Sequence, residues 1–320
     1  MLVFDKAYVE VKNKYILPLI DYSVPYRSLR NNNIKSILCN KFISVDDLGN
    51  KEYRLYFEKD ILIKALLGDI ELFFIRAVLQ KEDVNCVSHS SISANWNIVT
   101  NYYYSFFYAS LLLRICHRGN LFLDLEIKKQ LEILISQVIG TPISLDSNLF
   151  YEIQSMNGNY AIKLSPSAAN THEIVWKKID DLMDELILLS RSNSEESTVL
   201  KSIKNINNKL SNTYPSKLRN RVNYQPLYGI EYLDRKLYPL NCSYSWLKEI
   251  ISFDISEIRE NDNRIANVAI AYAKYIEIIC NKLISEYFEI KGIENGILCK
   301  INEGRSEKIV ISDLPFTYDM

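Results

Sequence analysis

A mainly α fold is what the sequence predicts: a helical bundle with β-hairpin attachments and a mixed α/β segment at its N-terminal end. Three observations predict it. Between about residues 90 and 290, apolar residues recur at helical spacing over long stretches. Serine, aspartate and glycine stand where those stretches should begin and end. Two shorter stretches alternate in apolarity around turn residues, which marks hairpins. The expected organisation is a mixed segment at 1–88 (hairpin plus helix), a helical domain at 89–290 carrying a hairpin at 148–164, and a closing hairpin or docked tail at 291–320. At 320 residues, whether one domain or two, the chain is long enough to bury a sizeable core.

The first hairpin is read in CNKFISVDDLGNKEYRLYFEKD, where an Asp-Leu-Gly-Asn turn separates Phe42, Ile43 and Val45 from Tyr53, Leu55 and Phe57. ILIKALLGDIELFFIRAVLQ follows as a helix with Gly68 as its weak point. In SHSSISANWNIVTNYYYSFFYASLLLRICHRGN, serines suit an N-cap and Gly119 a stop, while Trp96, Val99, Tyr103, Phe106 and Leu113 keep helical spacing. Its other positions are apolar too, so this helix is expected to be buried on most faces at the centre of the bundle. Leu121 to Val138 predicts the next helix, with Asp124 near its start and Gly140 after its end. LFYEIQSMNGNYAIKL predicts a second hairpin around Asn157-Gly158, a pair that tolerates positive φ. THEIVWKKIDDLMDELILLS reads as an amphipathic helix and, after the polar break RSNSEES, STVLKSIKNINNKLSN as another. SYSWLKEIISFDI and NRIANVAIAYAKYIEIICNKLISEYFEI also read as helices.

Composition excludes several classes. A formal charge of −1 removes the simplest argument for nucleic acid, an overall basic balance, though it leaves a local basic patch open. YYYSFFYASLLL is too short to span a bilayer and is flanked by polar residues, so no membrane association is expected. MLVFDKAYVEVKNKY carries charges where a secretory signal needs an apolar core. The six cysteines form no C-x-x-C pair, which points to reduced thiols in a cytoplasm and to no metal or other cofactor. With nine glycines in the chain, a phosphate-cradling loop is not expected either.

Chemistry concentrates in YPSKLRNRVNY, residues 214–224. Arg219 offers a guanidinium fork that fits phosphate oxygens, and Asn220 and Asn223 offer hydrogen bonds to hold a scissile group. Tyr224 can donate a hydrogen bond, but a phenol with pKa near 10 keeps its proton at neutral pH. The same residues can equally form a structural clamp, with Arg219 satisfying carbonyls at a helix end. Together with the earlier Tyr103, Tyr104, Phe107, Ala109, Leu112 and Leu113, this helix resembles the HEPN superfamily of small helical bundles. The chain also resembles, less closely, the YaaC-like group of bacterial proteins. HEPN ribonucleases carry Arg, often a polar residue, and then His a few positions on; here Arg219 and Asn220 match, and Tyr224 stands where the shortest motif has His.

The resemblance implies a component of a bacterial conflict system, antiphage or toxin-type, that pairs with itself or with proteins encoded nearby. RNA is a further implied partner. Two readings follow: a binding or assembly subunit, and a metal-independent endoribonuclease. For the second, His117 in RICHRGN is the candidate proton carrier, provided that the fold brings it beside Arg219. The plainer reading makes Arg114, His117 and Arg118 the cationic last turn of a helix closed by Gly119. KKIDDLMDEL and LDLEIKK read as solvated charge rather than as nuclease or metal motifs.

Overall fold

The computed structural model describes residues 5–24, 29, 31–88, 94–156, 159–225, 228 and 264–291. In chain order these form α1 (Lys6–Val11), α2 (Ile34–Leu38), β1 (Ser44–Gly49), β2 (Glu52–Phe57), α3 (Lys59–Ser88), α4 (Ala94–Ile115), β3 (Arg118–Phe122) and α5 (Leu125–Ile139). They continue with β4 (Asn148–Met156), β5 (Asn159–Pro166), α6 (Thr171–Leu189), α7 (Glu195–Leu210), α8 (Tyr214–Tyr224) and α9 (Arg264–Lys291). The fold is mainly α. The expected helix at SYSWLKEIISFDI, the Asn157-Gly158 turn, the serines at 89–93 and the C-terminal tail after Lys291 lie outside the described residues.

α4 is the hub, packing on α3, α6, α8, α9 and β3. Its sequence explains this: no charged residue occurs from Ala94 to Leu113, so every face can be covered. Tyr104, Tyr108, Ala109, Leu111, Leu112 and Leu113 are all buried. One apolar cluster runs from Ala7 to Tyr287 through all the major elements. A smaller one joins Ile98 and Val99 of α4 to Leu218 and Val222 of α8.

The hairpins are more than attachments. β2 pairs antiparallel with β5, Leu55 opposite Ile162, and β3 adds to β4, giving one five-stranded sheet in the order β1-β2-β5-β4-β3. Tyr53, Leu55 and Phe57 alternate inward, as their spacing predicts. The union leaves β1 and β3 as the edge strands and satisfies the backbone of both hairpins. Two boundaries differ from expectation. α4 ends at Ile115, and Gly119 lies within β3, opposite Tyr151, instead of stopping a helix. Leu121 and Phe122 also belong to β3, so α5 begins later, at Leu125, with Asp124 accepting from Ile127 N–H as its N-cap.

Gly68 is a point of close approach rather than a weakness. A Cβ there would sit 1.7 Å from the Asn32 carbonyl oxygen, a backbone atom that no rotamer change can move away. Gly68→Ala is therefore expected to destabilise the protein by about 3 kcal/mol, read as a lowered urea midpoint with unchanged slope.

Three buried carboxylates among the described residues show how buried charge is satisfied. Glu277, fully buried on α9, meets Lys81 at 2.7 Å, Lys274 at 2.9 Å and the Tyr104 hydroxyl. Asp69 on α3 pairs with Arg114 at 3.4 Å, and the Arg114 guanidinium carbon lies 3.4 Å from the Phe73 ring centroid. Glu196 on α7 accepts the backbone N–H groups of Asp5, Ala7 and Tyr8 at 3.0–3.1 Å, so the free donors at the start of α1 are capped by a distant helix.

Candidate functional site

α8 enters with Pro215 in its first turn and buries Tyr214, Leu218 and Val222. Arg219 meets Tyr102 and Tyr103, while Val222 clusters with Ile98 and Val99, so α8 runs antiparallel to α4. That packing turns Asn220, Asn223 and Tyr224 outward; Tyr224 is 74% exposed.

Arg219 is half-buried. Its Nη1 donates to the Tyr103 hydroxyl at 3.4 Å, and its guanidinium carbon sits 5.1 Å from the Tyr102 ring centroid. Its Nε is buried and has no hydrogen-bond acceptor among the described residues. Arg54, Arg114 and Arg118 each meet a carboxylate within 3.6 Å; among the described residues Arg219 meets none.

The histidine beside Arg219 is His172, in the first turn of α6 behind the Asn170 N-cap. Its Nδ1 lies 2.8 Å from the Tyr102 hydroxyl oxygen. Its ring centroid is 4.6 Å from that of Phe106, 5.6 Å from Tyr102 and 6.2 Å from Tyr103. Burial, and then the Arg219 charge, push its pKa below the ordinary imidazole value, which favours the neutral ring. Burial pushes the Tyr102 phenol up, with Trp176, Ser216 and Arg219 opposing. Three helices thus bring a cation, a neutral imidazole and two phenols together.

His117 is not part of this group. It occupies the corner between α4 and β3 with φ +59°, its Nε2 lies 3.1 Å from the Tyr15 carbonyl oxygen, and its ring packs edge-on against Tyr15. Along α4 it lies about 20 Å from Tyr102 at 1.5 Å per residue. Burial pushes its pKa down to about 4. Only Arg114 of the RICHRGN cations lies within the helix; Arg118 starts β3 and forms a two-pronged pair with Glu185 at 2.6 and 2.8 Å. The segment is a structural joint, not the cationic last turn that the sequence suggests.

No sequence signal marks His172, because its partners lie about 70 and 47 positions away and only the packing of α6 on α4 unites them. The acids of KKIDDLMDEL are occupied: Lys204 reaches Asp180 at 2.9 Å and Asp184 at 2.7 Å. Among the described residues no group of three or more His, Cys, Asp or Glu is placed to hold a metal ion. No helix among them is long and apolar enough to cross a membrane. No family model matches the chain, and neither a curated protein nor a solved structure matches it.

Proposed function

We propose that the chain is a HEPN-like binding component of a bacterial conflict system, working in the cytoplasm and docking on its partner through α8. One observation carries this reading: α8 is fixed by its apolar face while Asn220, Asn223 and the 74%-exposed Tyr224 form an outward row. Exposed tyrosine flanked by amides is a good interface anchor, rigid and able to bond at its tip. The HEPN resemblance supplies the setting and the expectation of a second copy or a neighbour-encoded protein as partner. Tyr224→Ala is expected to weaken partner capture at least about tenfold. Thermal unfolding should not move, because the side chain is mostly in solvent. Native mass spectrometry of the chain with its genomic neighbours' products checks this; a lone monomer under all those conditions overturns it.

A second reading, metal-independent RNA cleavage, is favoured by Arg219, a half-buried guanidinium that meets no carboxylate among the described residues and can neutralise a phosphate. In that chemistry a 2′-hydroxyl attacks the adjacent phosphate, losing its proton to a base, and the 5′-oxygen leaves with a proton from an acid. The products are a 2′,3′-cyclic phosphate and a 5′-hydroxyl. This reading expects RNA cleavage that survives EDTA and disappears in Arg219→Ala; intact RNA after incubation with the chain and its partners removes it.

A further inference from the structure

The Tyr102–His172 contact decides what the site can do. Tyr102 is buried, with His172 Nδ1 2.8 Å from its hydroxyl oxygen, while Trp176 and Ser216 act on that oxygen as hydrogen-bond donors and leave Nδ1 as the acceptor for its own proton. A buried O–H without an acceptor costs about 1–3 kcal/mol. The hydroxyl therefore donates and Nδ1 accepts. A neutral imidazole has one proton, so it sits on Nε2. No ring lone pair remains to take a proton from a substrate.

Beside this ring, Arg219 and Tyr103 offer donors as well. Arg219 has five N–H bonds, of which the Tyr103 oxygen accepts one; its buried Nε–H has no acceptor among the described residues. Tyr103, having accepted from Arg219, keeps its own proton to give. A half-buried guanidinium without a counter-anion is electrostatically incomplete, since burial weakens its hydration without a compensating charge. A tetrahedral oxyanion completes it: the guanidinium fork matches two phosphate oxygens, and the Nε2–H and the phenol add donors.

We infer that Arg219, Tyr103 and His172 form a donor-only site for a phosphate group, in which His172 acts as an N–H donor and not as a base. The inference goes beyond the binding reading above, whose outward row of Asn220, Asn223 and Tyr224 is a different set of residues from this site. The phosphate belongs either to a free nucleotide or to a nucleic-acid strand, which share this group.

The test is a titration of the full chain with inorganic phosphate, a mononucleotide and a single-stranded oligoribonucleotide, followed by 15N-edited NMR of the histidine rings. The expected results are a His172 Nε2–H tautomer and a His172 resonance that moves on phosphate addition. Arg219→Gln should weaken phosphate binding about 10- to 100-fold. His172→Ala should weaken it about tenfold, whereas His172→Gln, whose amide N–H replaces the donor, should stay within about threefold of the parent. Arg219→Lys, which keeps the charge, serves as the folding control and should retain part of the binding. Tighter binding of the oligoribonucleotide than of the other two assigns a strand; equal binding assigns a free phosphate, and both support the site. An Nδ1–H tautomer, His172→Gln as damaging as His172→Ala, or Arg219→Gln binding like the parent overturns it. Loss of partner capture in Tyr224→Ala is read separately, so failure of the docking row and failure of the phosphate site are distinguishable.

Discussion

Glu277→Gln should be the most damaging conservative change in the chain, lowering stability by about 3–5 kcal/mol. The replacement fits the space but leaves Lys81 and Lys274 facing each other across a neutral amide, with little water: their side chains are 10% and 17% exposed and that of Glu277 is 0%. The loss reflects burial of ammonium groups deprived of the Glu277 carboxylate rather than the net worth of the pairs. Lys81→Met alone should cost less, because Lys274 still meets the carboxylate at 2.9 Å. Urea denaturation at pH 7 checks both. The pH dependence has a definite sign. Burial pushes the Glu277 carboxyl up, but Lys274, Lys81 and the Tyr104 hydroxyl outweigh it and hold the group at about 2. Its folded value is thus below its unfolded one, near 4.5. The stability it contributes is present above pH 4.5 and is lost as pH falls toward 2. In Glu277→Gln this part of the acid limb should disappear, so that the two proteins converge in acid because the parent weakens.

Arg114→Met is expected to rank next, again at about 3–5 kcal/mol near neutral pH. It removes the guanidinium that pairs with Asp69 at 3.4 Å, donates to the carbonyls of Ser110 and Asn120, and covers the Phe73 ring. Here the pH dependence has the opposite origin. Burial already pushes Asp69 up, with Arg114, the Ile34 N–H and Tyr151 opposing. Without Arg114 the carboxyl rises further and folds most readily in its protonated form. A carboxyl raised in the folded state contributes stability that is present below its unfolded value of 3.8 and lost as pH rises through the folded one. Acidification from neutral pH should therefore narrow the gap because the variant gains. Equilibrium unfolding of both proteins over a pH series reads the opposite origins of the two convergences.

What could be read in the sequence depended on how far apart the interacting residues lie. The alternation of Tyr53, Leu55 and Phe57, the uncharged run of α4 and the Asp124 cap each depend on neighbours within a few positions. Periodicity and capping rules capture such signals directly. The pairing of β2 with β5 joins residues more than 100 positions apart, and nothing local in either hairpin announces its partner. β3 was hidden for a different reason: Arg118 and Gly119 read as the end of one helix and Leu121 and Phe122 as the start of the next, whereas the left-handed backbone at His117 ends the helix and turns the chain into the sheet. At the candidate site, Arg219 and the exposed amides on α8 were visible by residue type. The imidazole beside them was not, since proximity to Tyr102 comes only from tertiary packing.

The capping of α1 by Glu196 has a consequence for biosynthesis. The acceptor lies 188–191 residues downstream of the three N–H groups it holds. At roughly 5–20 residues per second, translation leaves the opening helix without that anchor for about 10–40 s. Throughout that interval Ala7, Tyr8 and Val11 have no completed surface to cover them, so the docking of this helix is among the later steps of folding.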